Sequence, residues 1–295
     1  MREWKIGDPV DGTTDGWMDA QNWGHGESDE PEENNGKISN PQKDIYAKKA
    51  WDLYMDFKEA EALRYINMAL EMDENDANNL NRKAIILEAL ERYSQSEEYY
   101  NRSLKLSPKK IVYENKARML YDWASKLLED SKKLPDGLYK LNDAREKVKK
   151  AIQTIPGEDS EEDVGKYLSL WDSINFYISY ERKFQRNVEN MKKYPKDELF
   201  TIAGRDFCKS KAPLNYGVQL RLVREPENEF DRDAIAVYVG AEKVGYVANS
   251  THTRYEMTST ASELKGKIKD NTQAEYLCYL QRYADVQFHV ARIVR

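Results

Sequence analysis

The chain lacks any apolar run near the roughly 18 residues that a membrane-spanning helix requires, so no transmembrane helix is expected. Met1-Arg2-Glu3-Trp4 does not read as the start of a signal peptide. Cysteine is scarce: Cys208 and Cys278 are far apart with no CxxC partner, which argues against a disulfide framework and against a thiolate metal site. Two reduced thiols fit a cytoplasmic protein. Histidine is scarcer still relative to its uses, since His25, His252 and His289 stand alone and no HExxH occurs. Gly165-Lys166-Tyr167 lacks the upstream glycine and the Ser/Thr of a phosphate-binding loop. With no acid–base pair of recognisable spacing, no catalytic residue, metal or cofactor is expected. Basic charge is also short. The net charge is −6, and no region has the excess of Lys and Arg that coats duplex DNA, so any nucleic-acid contact must be a local site.

What is present is length, charge and order. A chain of 295 residues with 40% hydrophobic content can fill two cores, and 33% charged residues keep it soluble. Residues 1–44 hold four Lys/Arg against eleven Asp/Glu, residues 45–195 hold 27 of each, and residues 196–295 hold 15 against 14. The acidity therefore belongs to the tail, 1–42, which has too little apolar surface to offset the entropy of ordering. Its Trp4, Trp17 and Trp23 have two readings: aromatics that dock on the protein's own surface, or anchors of a linear motif steered by carboxylates.

Residues 43–157 repeat. Ala62, Ile66 and Ala69 recur as Ser96, Tyr100 and Ser103, each displaced by 34, and Ala144, Val148, Ala151 and Pro156 follow at an offset of 48, so about 14 residues are inserted near Asp130 to Gly137. Helical periodicity with small residues at close approaches resembles the tetratricopeptide repeat (TPR), here with Ala50 and Ala84 where a glycine is usual. Three repeats imply a helical solenoid. Ser160 with Asp163 opens a further helix in 158–194, on which Tyr167, Trp171, Ile174 and Ile178 read as a cap, and Lys192 to Lys196 reads as a hinge. Lys48, Arg82 and Lys116 lie 34 apart with Asn81 and Asn115 beside them. The resemblance implies that stacked first helices align them along a groove, similar to a carboxylate clamp. The occupant would be an acidic segment of a protein partner or the chain's own tail; the alternative is solvated surface cations.

Residues 197–295 read as short strands: Leu199 to Gly204, then Val218, Leu220 and Leu222 in alternation, then the almost fully apolar Ala234 to Val239 and its return Lys243 to Val247, closing on the alternating Val286, Phe288, Val290 and Arg292. Ser259 to Lys269 is helix-compatible, and Ala274 to Tyr283 reads as helix or strand. The stretch REPENEFDRDAIAVYVGAEKVGYVA, Arg224 to Ala248, resembles the HIRAN family in the order of its turn, strand and Val-Gly-Tyr-Val return. That resemblance implies a compact OB-like barrel. Members fused to helicase or remodelling motors bind the 3′ end of single-stranded DNA. Carried over, Phe230 would stack on a base and Asp231 would accept from a sugar hydroxyl; capping of the turn is the competing role for Asp231. Tyr246 stands where DNA-end binders have histidine, Asn249 lies near where they have lysine, and their first-strand aromatic would fall near Phe200 or Thr201. Arg205, Arg224 and Arg254 are the candidates for phosphate.

The fold class expected is therefore α+β multidomain: an all-α TPR-like solenoid plus a small OB-like barrel with one or two helices. The expected function is a non-enzymatic adaptor binding single-stranded DNA or a DNA end through the barrel and a protein through the groove. A protein-interaction scaffold without DNA binding is the alternative, and a DNA-processing enzyme with an unrecognised site is the third reading.

Overall fold

The computed structural model describes residues 40–134, 136–155, 161–210, 212–282 and 286–294. The three tail tryptophans, Pro156 and Ser160 lie outside the described residues. Six helices come in pairs: α1 (Pro41–Met55) with α2 (Glu59–Met72), α3 (Ala77–Ala89) with α4 (Tyr93–Leu106), and α5 (Lys110–Lys132) with α6 (Leu138–Thr154). The first two pairs turn in the same way. Phe57 and Glu91 take left-handed φ of 58° and 55°, and the amides of Lys58 and Arg92 each close on a carbonyl five residues back, Leu53 and Leu87, at 2.9 Å.

The small-residue spacing is packing. Ala62, Ser96 and Ala144 are buried, as are Ala69, Ser103 and Ala151, with Ile66, Tyr100 and Val148 filling the space between. Ser96 and Ser103 also donate to the Ala84 and Ala77 carbonyls at 2.8 Å, so hydroxyls sit where helices nearly touch without leaving a polar atom unpaired. The insertion in the third repeat is mostly helix: α5 has 23 residues where α3 has 13. α7 (Glu161–Met191) buries Tyr167, Ile174 and Ile178 against the third repeat, as a cap should.

One charge sits inside this stack. Glu88 is 9% exposed; the Tyr100 hydroxyl donates to it at 3.0 Å and Arg118 pairs with it at 3.2 Å. Burial pushes its carboxyl up to about 7, against the opposing pull of Arg118 and Tyr100.

The C-terminal region closes into a six-stranded barrel: β1 (Leu199–Ala203), β2 (Gln219–Arg224), β3 (Ile235–Val239), β4 (Glu242–Val247), β5 (Thr272–Arg282) and β6 (Val286–Ile293). The order around it is β1-β4-β3-β2-β5-β6, antiparallel throughout. Phe200, Ile202, Leu220, Leu222, Ile235 and Val237 fill it. One expectation is trimmed here and one ambiguity is resolved. The helix across 259–269 shrinks to one turn, α8 (Ala261–Leu264), stopped just before Gly266, with Thr260 and Glu263 forming a capping box. The ambiguous 274–283 stretch is strand through Arg282. Tyr276 enters the barrel core while Leu277 and Leu280 face α7, and a bulge between Tyr276 and Cys278 shifts the register. Burial on both faces erased the alternation that marks a half-exposed strand.

The 192–196 segment is no free hinge. Met191, on α7, is packed with Leu199, Leu277, Leu280 and Val290, joining the cap helix to the outside of the barrel.

Two stability predictions follow from this packing. At Gly245 an added Cβ would lie 2.6 Å from the Ala203 carbonyl oxygen and 2.7 Å from Ile202 Cγ2. Gly245→Ala should therefore cost about 1–3 kcal/mol in denaturant unfolding, as overpacking does. A change within error would show that β1 and β4 can part there. The Glu88 carboxyl has a folded value of about 7, above its ordinary 4.5, so the folded state holds the extra proton. Its contribution to stability is full below pH 4.5 and is lost as the pH rises through 7. Glu88→Gln should flatten that slope, read as melting temperature against pH, and parallel curves for the two proteins would refute the assignment.

Candidate nucleic-acid interface and solenoid groove

The turn between β2 and β3 is built by side chains reaching back to the backbone. Asn228 Oδ1 accepts from the amides of Phe230 and Asp231 at 3.0 and 3.1 Å, and Asp231 Oδ1 accepts from the amide of Asp233 at 2.8 Å. The result is a rigid turn that holds Phe230 in solvent, 96% exposed. The other Asp231 oxygen accepts from Asn249 Nδ2 at 2.9 Å, and Asn249 Oδ1 accepts from the Ser262 amide at 3.0 Å. Asn249 thus uses an amide to tie the turn to α8.

Tyr246 belongs to the same surface. Its hydroxyl donates to Glu225 at 3.1 Å and accepts from Lys243 at 2.9 Å, while Lys243 also pairs with Glu225 at 2.7 Å. Burial alone would raise the Glu225 carboxyl, but hydrogen bonds from Lys243, Asn228 and Tyr246 hold it below the usual range. Of the three acids in this turn, Glu225 is therefore neutralised, whereas Glu227 and Glu229 face solvent.

Tyr246 and Lys243 also line an open groove of about 950 Å³ with Gly204, Phe207, Cys208, Lys209, Ser210, Ala212 and Glu242. Gly204 takes a left-handed φ of 72°, which lets the chain leave β1 sharply into a one-turn helix, Arg205–Phe207. Phe207 ends that turn 94% exposed. The first-strand positions Phe200 and Thr201 offer no exposed aromatic. Phe200 is fully buried in the barrel, and Thr201 is buried with its hydroxyl 2.9 Å from that of Thr258. Sequence reasoning missed Phe207, an isolated aromatic just past the strand with no motif around it.

The three arginines are each engaged. Arg224, exposed, pairs with Asp270 at 3.1 Å; Arg205 donates to the Ala212 carbonyl at 3.0 Å; Arg254 donates to the Thr258 carbonyl. His289 is not isolated: it bonds the Tyr276 hydroxyl at 2.9 Å, and burial with help from Arg205 pushes its imidazole down to about 4, so it is neutral.

On the solenoid, Asn115 Nδ2 meets Asn81 Oδ1 at 3.5 Å, so these two are brought together. Lys48 is exposed, and Arg82 leans on Asn79 at 3.4 Å. Lys116 does not share their row. α3 begins after the four-residue turn 73–76, but α5 begins after the three-residue turn 107–109. The buried small residue that continues Ala50 and Ala84 is consequently Ala117, and Arg118 is left outward. Lys116 is rotated towards Glu97 of α4 and Lys150 of α6, where burial lowers its ammonium. Asn115 takes the place beside Arg82 that the 34-residue count gave to Lys116.

No cluster of His, Cys, Asp or Glu suited to a metal ion occurs among the described residues, and no described helix is long and apolar enough to cross a membrane.

No curated protein matches the chain. Among solved structures, the Yersinia enterocolitica type III secretion chaperone SycD, in complex with a peptide of the translocator YopD, is 16% identical over 48% of this chain and 97% of that one, with a TM-score of 0.35. The first TPR of Spaghetti (RPAP3), bound to the HSP90 peptide SRMEEVD, is 12% identical over 47% of this chain and 97% of that one, with a TM-score of 0.34. The paired helices and their repeated turns, rather than these scores, make the N-terminal region TPR-like. The model of the HIRAN domain matches residues 199–287, which span β1 to the start of β6 and include both exposed phenylalanines, and the C-terminal barrel is a HIRAN domain.

Proposed function

We propose that the protein is a non-enzymatic adaptor whose HIRAN barrel binds single-stranded DNA, with preference for a 3′ end, while the solenoid groove holds a protein partner. DNA repair or replication-fork processing would be the setting. The observation that carries this reading is Phe230, held almost fully in solvent by the bonds of Asn228 rather than by packing. An aromatic whose backbone is fixed and whose ring stands in water is a stacking platform with part of the ordering cost, that of the turn, already met. Phe207 offers a second one at the edge of the groove lined by Tyr246 and Lys243. Asp231 retains acceptor capacity for a sugar hydroxyl, since a carboxylate has about four lone-pair sites. Phosphate contacts would come from Lys209 and from Arg224 exchanging Asp270 for the backbone, with Arg205 and Arg254 stiffening the loops beneath. On the solenoid, Lys48, Arg82, Asn81 and Asn115 favour an acidic segment, with Lys116 acting only through Glu97.

A specific observation favours the alternative, a protein scaffold without DNA binding: Glu227 and Glu229 crowd the turn and repel phosphate. Fluorescence anisotropy separates the two. Short labelled single strands with a free 3′ hydroxyl should bind at low salt, and strands with a blocked 3′ end should bind more weakly. Phe230→Ala should lose about 1–3 kcal/mol, the worth of one stacked base, or roughly 5- to 150-fold in Kd. Absence of binding by the unaltered protein at low salt, or binding indifferent to Phe230→Ala, would leave the scaffold.

A further inference from the structure

The extra length of the third repeat has no place in either binding surface, yet described residues at its far end make polar contacts with α7 and the barrel. The lengthened α5 carries the α5–α6 turn, residues 133–137, out to the barrel. There Arg282, on the last residue of β5, donates through Nη2 to the Leu134 carbonyl and through Nε to Glu181 of α7 at 2.8 Å. Glu181 is 1% exposed and the Arg282 side chain 13%. The guanidinium also lies 5.6 Å from the Phe184 ring. From α7, Gln185 reaches Asp136 in the same turn at 3.0 Å, and Asn187 donates to the Tyr279 carbonyl on β5 at 3.3 Å. The turn itself is tight: a Cβ on Gly137 would lie 2.4 Å from the Ser131 carbonyl oxygen.

We propose that the insertion in the third repeat is a joint, and that Arg282 is its positioning residue. It binds the α5–α6 turn, the cap helix and β5 into one body, so that the Phe230 face and the solenoid groove are presented at a single fixed separation. A buried ion pair holds such a geometry well, because neither partner can leave without stranding the other charge away from water. α5 is also the helix that bears Asn115 and Arg118, so the element reading the groove is the one fastened to the barrel. The purpose assigned to the joint rests on the two-surface function above; the joint itself does not.

The test needs no ligand, so its failure is distinct from a failure to bind DNA. In the full chain with Cys208→Ser and Cys278→Ala, spin labels are placed at Lys58→Cys in the solenoid and Lys269→Cys on the barrel, both exposed. Pulsed dipolar spectroscopy should give one narrow distance peak. Arg282→Met should at least double its width while the helical circular dichroism stays unchanged. A broad peak before any change to Arg282, or an equally narrow one after it, overturns the proposal. Should Arg282→Met fail to fold, Gln185→Ala removes the Asp136 contact and the longer one to Glu181 while keeping the Arg282–Glu181 pair, and is read the same way: a wider peak supports the joint, an unchanged one overturns it.

Discussion

Helix α7 buries its first half against the third repeat and its second half against the barrel, and both surfaces depend on that double burial. The helix is long, 31 residues or roughly 46 Å at the usual rise, so it can reach both cores. Tyr167, Ile174 and Ile178 lie in the solenoid core, whereas Phe184, Val188 and Met191 pack beside Leu277 and Leu280 of β5. Neither face could be left exposed, since each would present an apolar patch to water. Closure of the solenoid and placement of the barrel are thus one event.

The binding surfaces are made differently. Their side chains are held from the backbone outward by short polar contacts, not by a core. Asn228 fixes Phe230, Glu225 and Lys243 fix Tyr246, and Gly204 aims the turn that ends in Phe207. Each contact is individually modest, about 0.5–1.5 kcal/mol net. Together they remove backbone freedom that a flexible turn would lose on binding. Two of the arginines serve the same end: Arg205 through Nη2 and Arg254 through Nη1 donate to carbonyls of the loops they lie under.

Legibility in the sequence followed from how burial writes itself. The three helix pairs and the cap stripe on α7 were readable because each has one wet face and one dry face, and β3 because it is a short, almost fully apolar run ended by a turn at Gly240. β5 was not, because both of its faces are dry and the bulge after Tyr276 breaks the count. Phe230 was singled out only through the resemblance to the HIRAN family; the turn residues around it, Asn228 and Asp231, explain its backbone and not its role. Phe207 was hidden by position: nothing in an isolated aromatic says that it ends a strand exit in solvent. The joint was beyond reach for another reason, since Arg282 meets Glu181 and Leu134 across 101 and 148 residues.

The groove shows how small a change can escape a repeat count. A turn shorter by one residue before α5 rotates every later position by about 100° relative to a 34-residue register. Ala117 then occupies the close approach, where Arg118 could not fit, and Arg118 swings out over Glu88. Lys116 turns inward to Glu97, which already holds Lys147 at 3.1 Å and Lys150 at 3.3 Å. By helix register the row becomes Lys48, Arg82, Asn115, with Arg118 about a turn away. Its cationic character weakens at the third repeat, where Glu88 and Asp122 sit beside the one guanidinium. An acidic segment would therefore be held by its contacts with the first two repeats, and the third repeat would contribute hydrogen bonds and its fastening to the barrel.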